Sequence, residues 1–307
     1  MDLAPIIVFA YNRPEHLIKV LEALAKNPEA IHSDLFVFID GPKNEDALTK
    51  QKEVLGVAER FKIGYFNEVN IYCSNKNRGL SKAVISGVTN IFEKSDKVIV
   101  LEDDSIPDIL FLKYMNEALD FYKSNNSIWS IGGYTPPIKI PMEYKYEIIK
   151  TQRCSSYAWG TWKNRWQKID WNVKDYAKFR FDFIQRKKFN YWGSDRSSML
   201  DDQMNQRINS WAIRFDYAMF TNNMYNIVPI YSLVKNIGHD GSGTHSRTNC
   251  TAEDDFYVDL NNQYKEINLQ NVEVDERIRL NFINFFKYDR VGLIKRYLSN
   301  LWVSWRK

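Results

Sequence analysis

Val98-Ile99-Val100-Leu101-Glu102-Asp103-Asp104 decides how the rest of the chain is read. Its short apolar run is too brief for a helix and reads as a strand buried on both faces. It passes without a spacer into three consecutive acids. Toward the N-terminus the same grammar repeats. Ile6-Ile7-Val8-Phe9-Ala10 is another such run, closed by the turn Asn12-Arg13-Pro14. Residues 35–39 are a third, closed by Asp40-Gly41-Pro42, and residues 69–73 a fourth, closed by Asn75-Lys76-Asn77-Arg78-Gly79. Helical patterns fill the gaps. Residues 15–25 place Leu17, Val20, Leu21 and Leu24 on one face, and residues 46–61 and 80–92 continue the alternation.

Strands alternating with helices over short connections predict an α/β fold, a mostly parallel sheet flanked by helices. Ligands of such sheets bind beyond the carboxyl ends of the strands. Here those ends carry Asn12-Arg13, Asp40-Gly41, Asn77-Arg78-Gly79 and Glu102-Asp103-Asp104, so four polar clusters are expected on one edge. After Pro107 the pattern changes. Residues 109–122 read as a helix, 130–141 as a loop rich in Gly and Pro, and Tyr157-Ala158-Trp159-Gly160-Thr161-Trp162 as an aromatic segment with tight turns. Residues 195–209 read as partly helical, 227–233 as a strand and 238–245 as a loop. Residues 1–104 are thus expected to form one half of a domain, 105–250 the other half, and 251–307 a C-terminal helical extension.

The chain has 307 residues, 44% hydrophobic and 26% charged, ordinary for a globular protein with a core of useful size. A net charge of +4 is too mild to argue for nucleic acid. Aromatic residues make up 15%, which reads first as core and second as a sugar-handling surface. Cys73, Cys154 and Cys250 lack metal spacing and read as buried thiols of a reducing cytoplasm. Pro5 and Asn12-Arg13-Pro14 interrupt what would be a secretory signal, and no apolar stretch approaches the ~20 residues that span a bilayer. The expectation is a cytoplasmic protein, soluble or held at the inner face of the membrane.

Acids at a strand end sit on a rigid support while their tips reach the cleft. Hard divalent cations prefer carboxylate oxygens and neutralise the charge that grows on a departing diphosphate. Side-chain alternation along a strand would put Glu102 and Asp104 on one side and Asp103 on the other. Asp104, furthest along, is the expected metal ligand; Glu102 or Asp103 is left to hold a ribose or a metal-bound water. Arg78 could approach a phosphate, and Gly79 would permit close backbone approach. Asp40 could accept from a base N–H or cap the next helix.

The segments Pro5 to Pro14, Asp40-Gly41, Asn77-Arg78-Gly79-Leu80 and Leu101-Glu102-Asp103-Asp104 together resemble bacterial family 2-type glycosyltransferases of the GT-A fold. The Glu-Asp-Asp form is similar to that of the N-acetylglucosaminyltransferase I type. Trp159-Gly160-Thr161-Trp162, the segment from Ser210 to Phe215, and the stretch from Asn236 to His245 look like bacterial surface-polysaccharide transferases. The resemblance spans residues 5 to about 246. It implies Mn²⁺ or Mg²⁺ and inverting transfer of a hexose or N-acetylhexosamine. The donor would be a nucleotide-diphosphate sugar, UDP-linked, and the acceptor a glycan, lipid-linked in capsule, O-antigen or similar synthesis. Phe9, Tyr11, Asn12, Arg13, Asp40, Asn77, Arg78, Gly79, Glu102 and Asp103 would then contact the nucleotide sugar.

Inversion requires a base for the acceptor hydroxyl. Asp201, Asp202 and Asp216 are candidates, and Asp202 is preferred as the catalytic residue. His245, at the end of Gly241-Ser242-Gly243-Thr244-His245, could ligate the metal or close over the diphosphate. From Ile294, apolar residues Tyr297, Leu298, Leu301, Trp302 and Trp305 share a helical face beside Lys295, Arg296, Arg306 and Lys307. That suits either an interfacial membrane helix or a helix docked on the domain. A metal-dependent nucleotidyltransferase is the competing enzyme reading, but the first strand lacks its Gly-rich phosphate loop. A non-catalytic sugar-binding module would not require an acid cluster.

Overall fold

A computed structural model describes residues 2–241, 256–260, 264, 266–287, 292, 297 and 299. The first half alternates as the apolar runs predict: β1 (Ile6–Ala10), α1 (Pro14–Ala25), β2 (Asp34–Ile39), α2 (Glu45–Arg60), β3 (Glu68–Cys73), α3 (Leu80–Ile91) and β4 (Lys97–Glu102). Pro14 opens α1, where its missing N–H costs nothing, and the Asn44 side chain caps α2 by accepting the Ala47 N–H at 2.9 Å.

The second half is less regular. It runs β5 (Ser105–Pro107), α4 (Phe111–Phe121), β6 (Ile128–Gly132), β7 (Ile148–Thr151), β8 (Ala158–Trp162), α5 (Lys163–Trp166), α6 (Tyr176–Phe179), α7 (Phe183–Phe189), α8 (Arg196–Met204), α9 (Trp211–Thr221), β9 (Tyr225–Pro229), β10 (Val234–Asn236) and α10 (Glu276–Phe285).

One eight-stranded sheet in the order β3-β2-β1-β4-β8-β6-β9-β7 spans both halves. The pairs β1–β2, β2–β3 and β1–β4 are parallel; β8 and β7 run against the remaining strands. The fold is therefore α/β, with a mostly parallel sheet flanked by helices. Strand β1 is buried on both faces. Ile6 and Val8 enter one core cluster, Ile7 and Phe9 the other. Such complete burial contributes roughly 1.5–3 kcal/mol for each large apolar side chain.

Three expectations need correction. Residues 130–141 were expected as loop, but their first residues belong to β6, with Gly132 at the strand's end. The Trp159 segment was expected in tight turns, yet it is β8, fully buried between β4 and β6. Glycine and tryptophan obscured both strands. In β8 a Cβ on Gly160 would lie 2.8 Å from the Val98 carbonyl oxygen and close to Met115 and Leu119, so a residue that reads as a turn is a packing necessity. Cys73, expected to be buried, is exposed at the end of β3; Cys154 is partly buried and Cys250 lies outside the described residues. Among the described residues no helix is long and apolar enough to cross a membrane.

Candidate active site

The chain proceeds from β1 outward to β2 and β3, then returns to place β4 on the other side of β1. Ligands of open α/β sheets bind where the strand order reverses in this way. Phe9 on β1 stands in register with Glu102 on β4, so the two strands end side by side. Arg13, just past β1, therefore meets Asp103 and Asp104, just past β4. Its guanidinium pairs with Asp103 and lies 2.9 Å from an Asp104 oxygen. The chain leaves the strand after Glu102 and turns, so Asp103 and Asp104 both face Arg13 rather than opposite sides. This corrects the alternation expected from the sequence.

A short antiparallel ribbon completes the acid cluster. Strand β10 pairs with β5, Asn236 opposite Ser105, and the Asn236 amide donates to Asp104 Oδ1 at 3.0 Å. The Ile237 N–H donates to the Asp104 carbonyl at 2.8 Å. Gly238 follows, and a Cβ there would lie 2.2 Å from Asp104 Oδ2. Only glycine lets this segment come so close.

Around the acids is a cavity of about 390 Å³. The first half lines it with Phe9, Ala10, Tyr11, Asn12, Arg13, Asp40, Lys43, Asn77, Gly79, Leu80, Ala83 and the three acids. Of the expected nucleotide-sugar residues in the first half, Arg78 is the one outside the lining: its side chain is exposed, while its backbone N–H donates to Asp40 at 2.9 Å. Asp40 also accepts from the Gly41 and Gly79 N–H groups, at 2.9 and 2.8 Å. It thereby ties the end of β2 to the loop after β3. Gly79 has φ +74°, a left-handed conformation that disfavours other residues, and it caps α3. Lys43 sits 5.7 Å from the Tyr11 ring centroid.

The second half adds Ser156, Tyr157, Asn209, Ser210, Trp211, Ala212, Asn236, Gly238 and His239 to the lining. Trp211, the first residue of α9, lies beside Glu102 in the lining and stacks on Trp159, the ring centroids 4.8 Å apart. Most of the tryptophan-rich layer is core, as the composition suggested; Trp211 is where it reaches the cavity. His239 was read from the sequence as structural, but it lines the cavity and lies 3.1 Å from the Tyr157 hydroxyl. A faint signal existed, since His239 falls six residues before His245 in the same polar stretch.

The three base candidates lie elsewhere. Asp201 is held by both terminal nitrogens of Arg186 at 2.8 Å and by the Tyr176 hydroxyl. Asp216 accepts from the Cys154 N–H and from Arg196. Asp202 is buried on α8, 3.7 Å from Arg207, and does not line the cavity. His245 lies outside the described residues.

Burial pushes Glu102 well above the ordinary carboxylate range, with Asp104 and Asp103 adding repulsion against the weaker pull of Arg13 and Trp211. Burial likewise raises Asp103 to about 6, although Arg13 opposes the rise. Arg13 is itself disfavoured by burial, but the two aspartates outweigh that and hold it above its usual value. Three acids share one arginine, so ionising all of them would leave negative charge unmatched in a buried place. A cation or a network of donors from a ligand would relieve it.

No protein-family model and no curated protein matches the chain. Among solved structures it is similar to TarS of S. aureus. The TarS 1-349 complex with UDP has 13% identity and a TM-score of 0.45, covering 76% of this chain and 59% of that one. The complex with UDP-GlcNAc has 13% identity and a TM-score of 0.44, covering 76% and 57%. For another TarS structure the values are 11%, 0.43, 75% and 36%. The chain thus spans less than two thirds of the length of these structures.

Proposed function

We propose that the protein is an inverting glycosyltransferase that moves a hexose or N-acetylhexosamine from a UDP-sugar to a glycan acceptor. The observation that carries this reading is the cavity at the β1/β4 switch point, where four strand ends surround a buried acid cluster short of positive charge. A nucleoside would lie against Tyr11, Asn12, Asp40 and Asn77, with its diphosphate turned to the acids.

The acids suit a hard divalent cation. Among the described residues no three His, Cys, Asp or Glu side chains form a cage for an ion. Magnesium needs none: it is usually held by one or two carboxylates with substrate phosphates and water completing its shell. Asp104 would be the main ligand, because a carboxylate offers about four lone-pair sites and Arg13 and Asn236 take only part of them. Mn²⁺ or Mg²⁺ there would neutralise the diphosphate as it departs. Arg13 keeps Asp103 and Asp104 oriented, and the close approach at Gly238 fixes Asp104 from the other side.

In the reaction the acceptor oxygen attacks the anomeric carbon, the carbon–oxygen bond to the diphosphate breaks, and the acceptor proton passes to a base. Asp202, expected to be the base, is buried on α8 outside the cavity lining and so does not face an acceptor bound there. His239, which lines the cavity, is the proposed base instead. His239→Ala should lower turnover about 10²–10⁴-fold while UDP binding survives, and Asp202→Asn should leave turnover nearly unchanged. The reverse result would return the role to Asp202.

A lipid-linked acceptor of surface-polysaccharide synthesis fits the aromatic and basic C-terminal segment, which would rest on the cytoplasmic face of a membrane. The overall reading is tested by screening UDP-sugars for Mn²⁺-dependent thermal stabilisation and hydrolysis. Absence of both across UDP- and other nucleotide-linked sugars would reject it.

A further inference from the structure

Away from the cavity, helix α7 and the turn before it carry an apolar surface that the core leaves outside. Phe181 is 57% exposed, and Phe183 and Ile184 are each 69% exposed. Beneath them the core is already filled: Phe179 and Phe189 pack with Leu200, Ile213 and Tyr217. Arg186 turns inward to Asp201 on that same buried side. The first turn of α7 thus leaves apolar side chains outside a core that is already filled. Single exposed apolar residues are ordinary, but three within four positions form a patch.

The charges around the patch are positive. Lys187 and Lys188 are exposed one helical turn beyond Phe183 and Ile184, so each apolar side chain shares its face with a lysine. Lys178 is exposed nearby, and the Arg180 guanidinium lies over the Phe181 ring. The neighbouring acids have other partners. Asp182 caps α7 by accepting the Gln185 N–H, and Asp175 accepts from the Tyr217 hydroxyl. Glu276, at the far end near Tyr191, pairs with Arg279 at 2.7 Å. The patch also adjoins the C-terminal segment: the Tyr297 ring lies 6.2 Å from Phe183 and 4.8 Å from the Arg186 guanidinium, and Ser299 accepts from Arg207. Tyr297 and Ser299 thus bring the C-terminal segment to the side of α7.

We propose that the outer face of the α6–α7 segment is a docking surface for an anionic lipid bilayer, with Phe181, Phe183 and Ile184 entering the interface and Lys187 and Lys188 reaching the headgroups. Lysines with long apolar stems suit this, since the stem lies in the acyl boundary while the ammonium stays at headgroup depth. The proposal does not depend on the transferase reading, because none of these residues lines the cavity.

The test is co-sedimentation of the full chain with mixed phosphatidylglycerol–phosphatidylcholine vesicles and with pure phosphatidylcholine vesicles, at low and high salt. The parent should bind the anionic vesicles and release them in salt. Each lysine near an anionic surface strengthens partitioning about fivefold, so K187E/K188E should weaken it about 30-fold or more. F183S/I184S should weaken it too, even where the lysines remain. Both variants change exposed side chains, and unchanged melting temperatures would confirm that they fold. Three results would overturn the proposal: no binding of the parent to anionic vesicles, full binding by both variants, or a parent dimer in gel filtration that F183S/I184S dissolves. The last would make the face a contact between two copies of the chain.

Discussion

The two halves treat buried acids in opposite ways. At the end of β4, Glu102, Asp103 and Asp104 cluster around Arg13. Behind the second half of the sheet, Asp195, Asp201 and Asp216 each have an arginine: Arg153, Arg186 and Arg196. Burial would raise Asp195, but Arg153 outweighs it and holds that carboxyl below its usual range. Burial wins at Asp216 despite Arg196, as it does at Asp103 and Glu102, so it is the pairing, one arginine to each acid, that sets the two regions apart. A matched ion pair is self-contained and organises structure. An unmatched cluster lining a cavity is incomplete without something that binds there. The number of acids is similar in the two regions; the ratio of acids to cations separates scaffold from candidate site.

The largest expected effect breaks the unmatched side. Asp104→Ala should reduce Mn²⁺-dependent sugar transfer by about 10³-fold or more, as loss of a preorganised electrostatic group does. The melting temperature should change little, because the change relieves repulsion as well as removing contacts with Arg13 and Asn236. EDTA should inhibit the parent, and Mn²⁺ or Mg²⁺ should restore it. A folded Asp104→Ala protein with near-normal turnover would remove Asp104 from the chemistry.

The matched side should respond in stability. Among the described residues, Arg186→Met leaves the buried Asp201 carboxylate with the Tyr176 hydroxyl as its remaining side-chain partner, and removing one partner of a buried pair costs about 3–5 kcal/mol. Urea unfolding should show this loss with Mn²⁺ present or absent. Recovery on adding Mn²⁺ would mean that Asp201 communicates with the cavity after all.

These regions differed in how plainly the sequence announced them. Strands β1 to β4 were legible because each is a short apolar run ended by a turn, and parallel order put their polar ends on one edge. The encounter of Arg13 with Asp103 and Asp104 was not, since it depends on the chain leaving the strand at Glu102. Trp211 and His239 were harder still. Trp211 is distant from Glu102 in sequence and reaches it through the packing of α9, and His239 arrives through the pairing of β10 with β5. The pairing that defines Asp201 and Asp216 was equally hidden. An aspartate beside a helix reads the same from sequence whether it takes a proton or holds an arginine.

A pH titration should sharpen the contrast. The native Asp103 carboxyl is raised from 3.8 to about 6. Between those values the native state holds more of its proton than the unfolded state, so stability falls as pH rises. The penalty is absent below pH 3.8, grows toward pH 6 and is complete above it, roughly 3 kcal/mol at full size. In EDTA, Asp103→Asn should therefore gain on the parent as pH rises through this window. Mn²⁺ should shrink the difference, because a nearby cation favours the ionised carboxylate. A difference that stays flat across the window, with or without metal, would mean that the acids are not short of positive charge.

The smallest effect should come from replacing a whole pair. Arg186→Met combined with Asp201→Leu removes both charges together and leaves no buried ion behind. Exchanging a buried ion pair for apolar groups is often neutral or stabilising, whereas breaking it is costly. One debt remains in this case, since the Tyr176 hydroxyl loses its acceptor, a loss of about 1–3 kcal/mol where the group stays buried. The double variant should therefore fall within about 2 kcal/mol of the parent, well above Arg186→Met alone. Measured with the Asp201→Leu single variant, the set forms a double-mutant cycle whose coupling energy reports the pair directly. UDP binding should be unchanged throughout, because neither residue lines the cavity. If the double variant is as unstable as the worse single variant, the pair is not self-contained. The distinction between matched and unmatched acids would then fail on the side where the geometry makes it clearest.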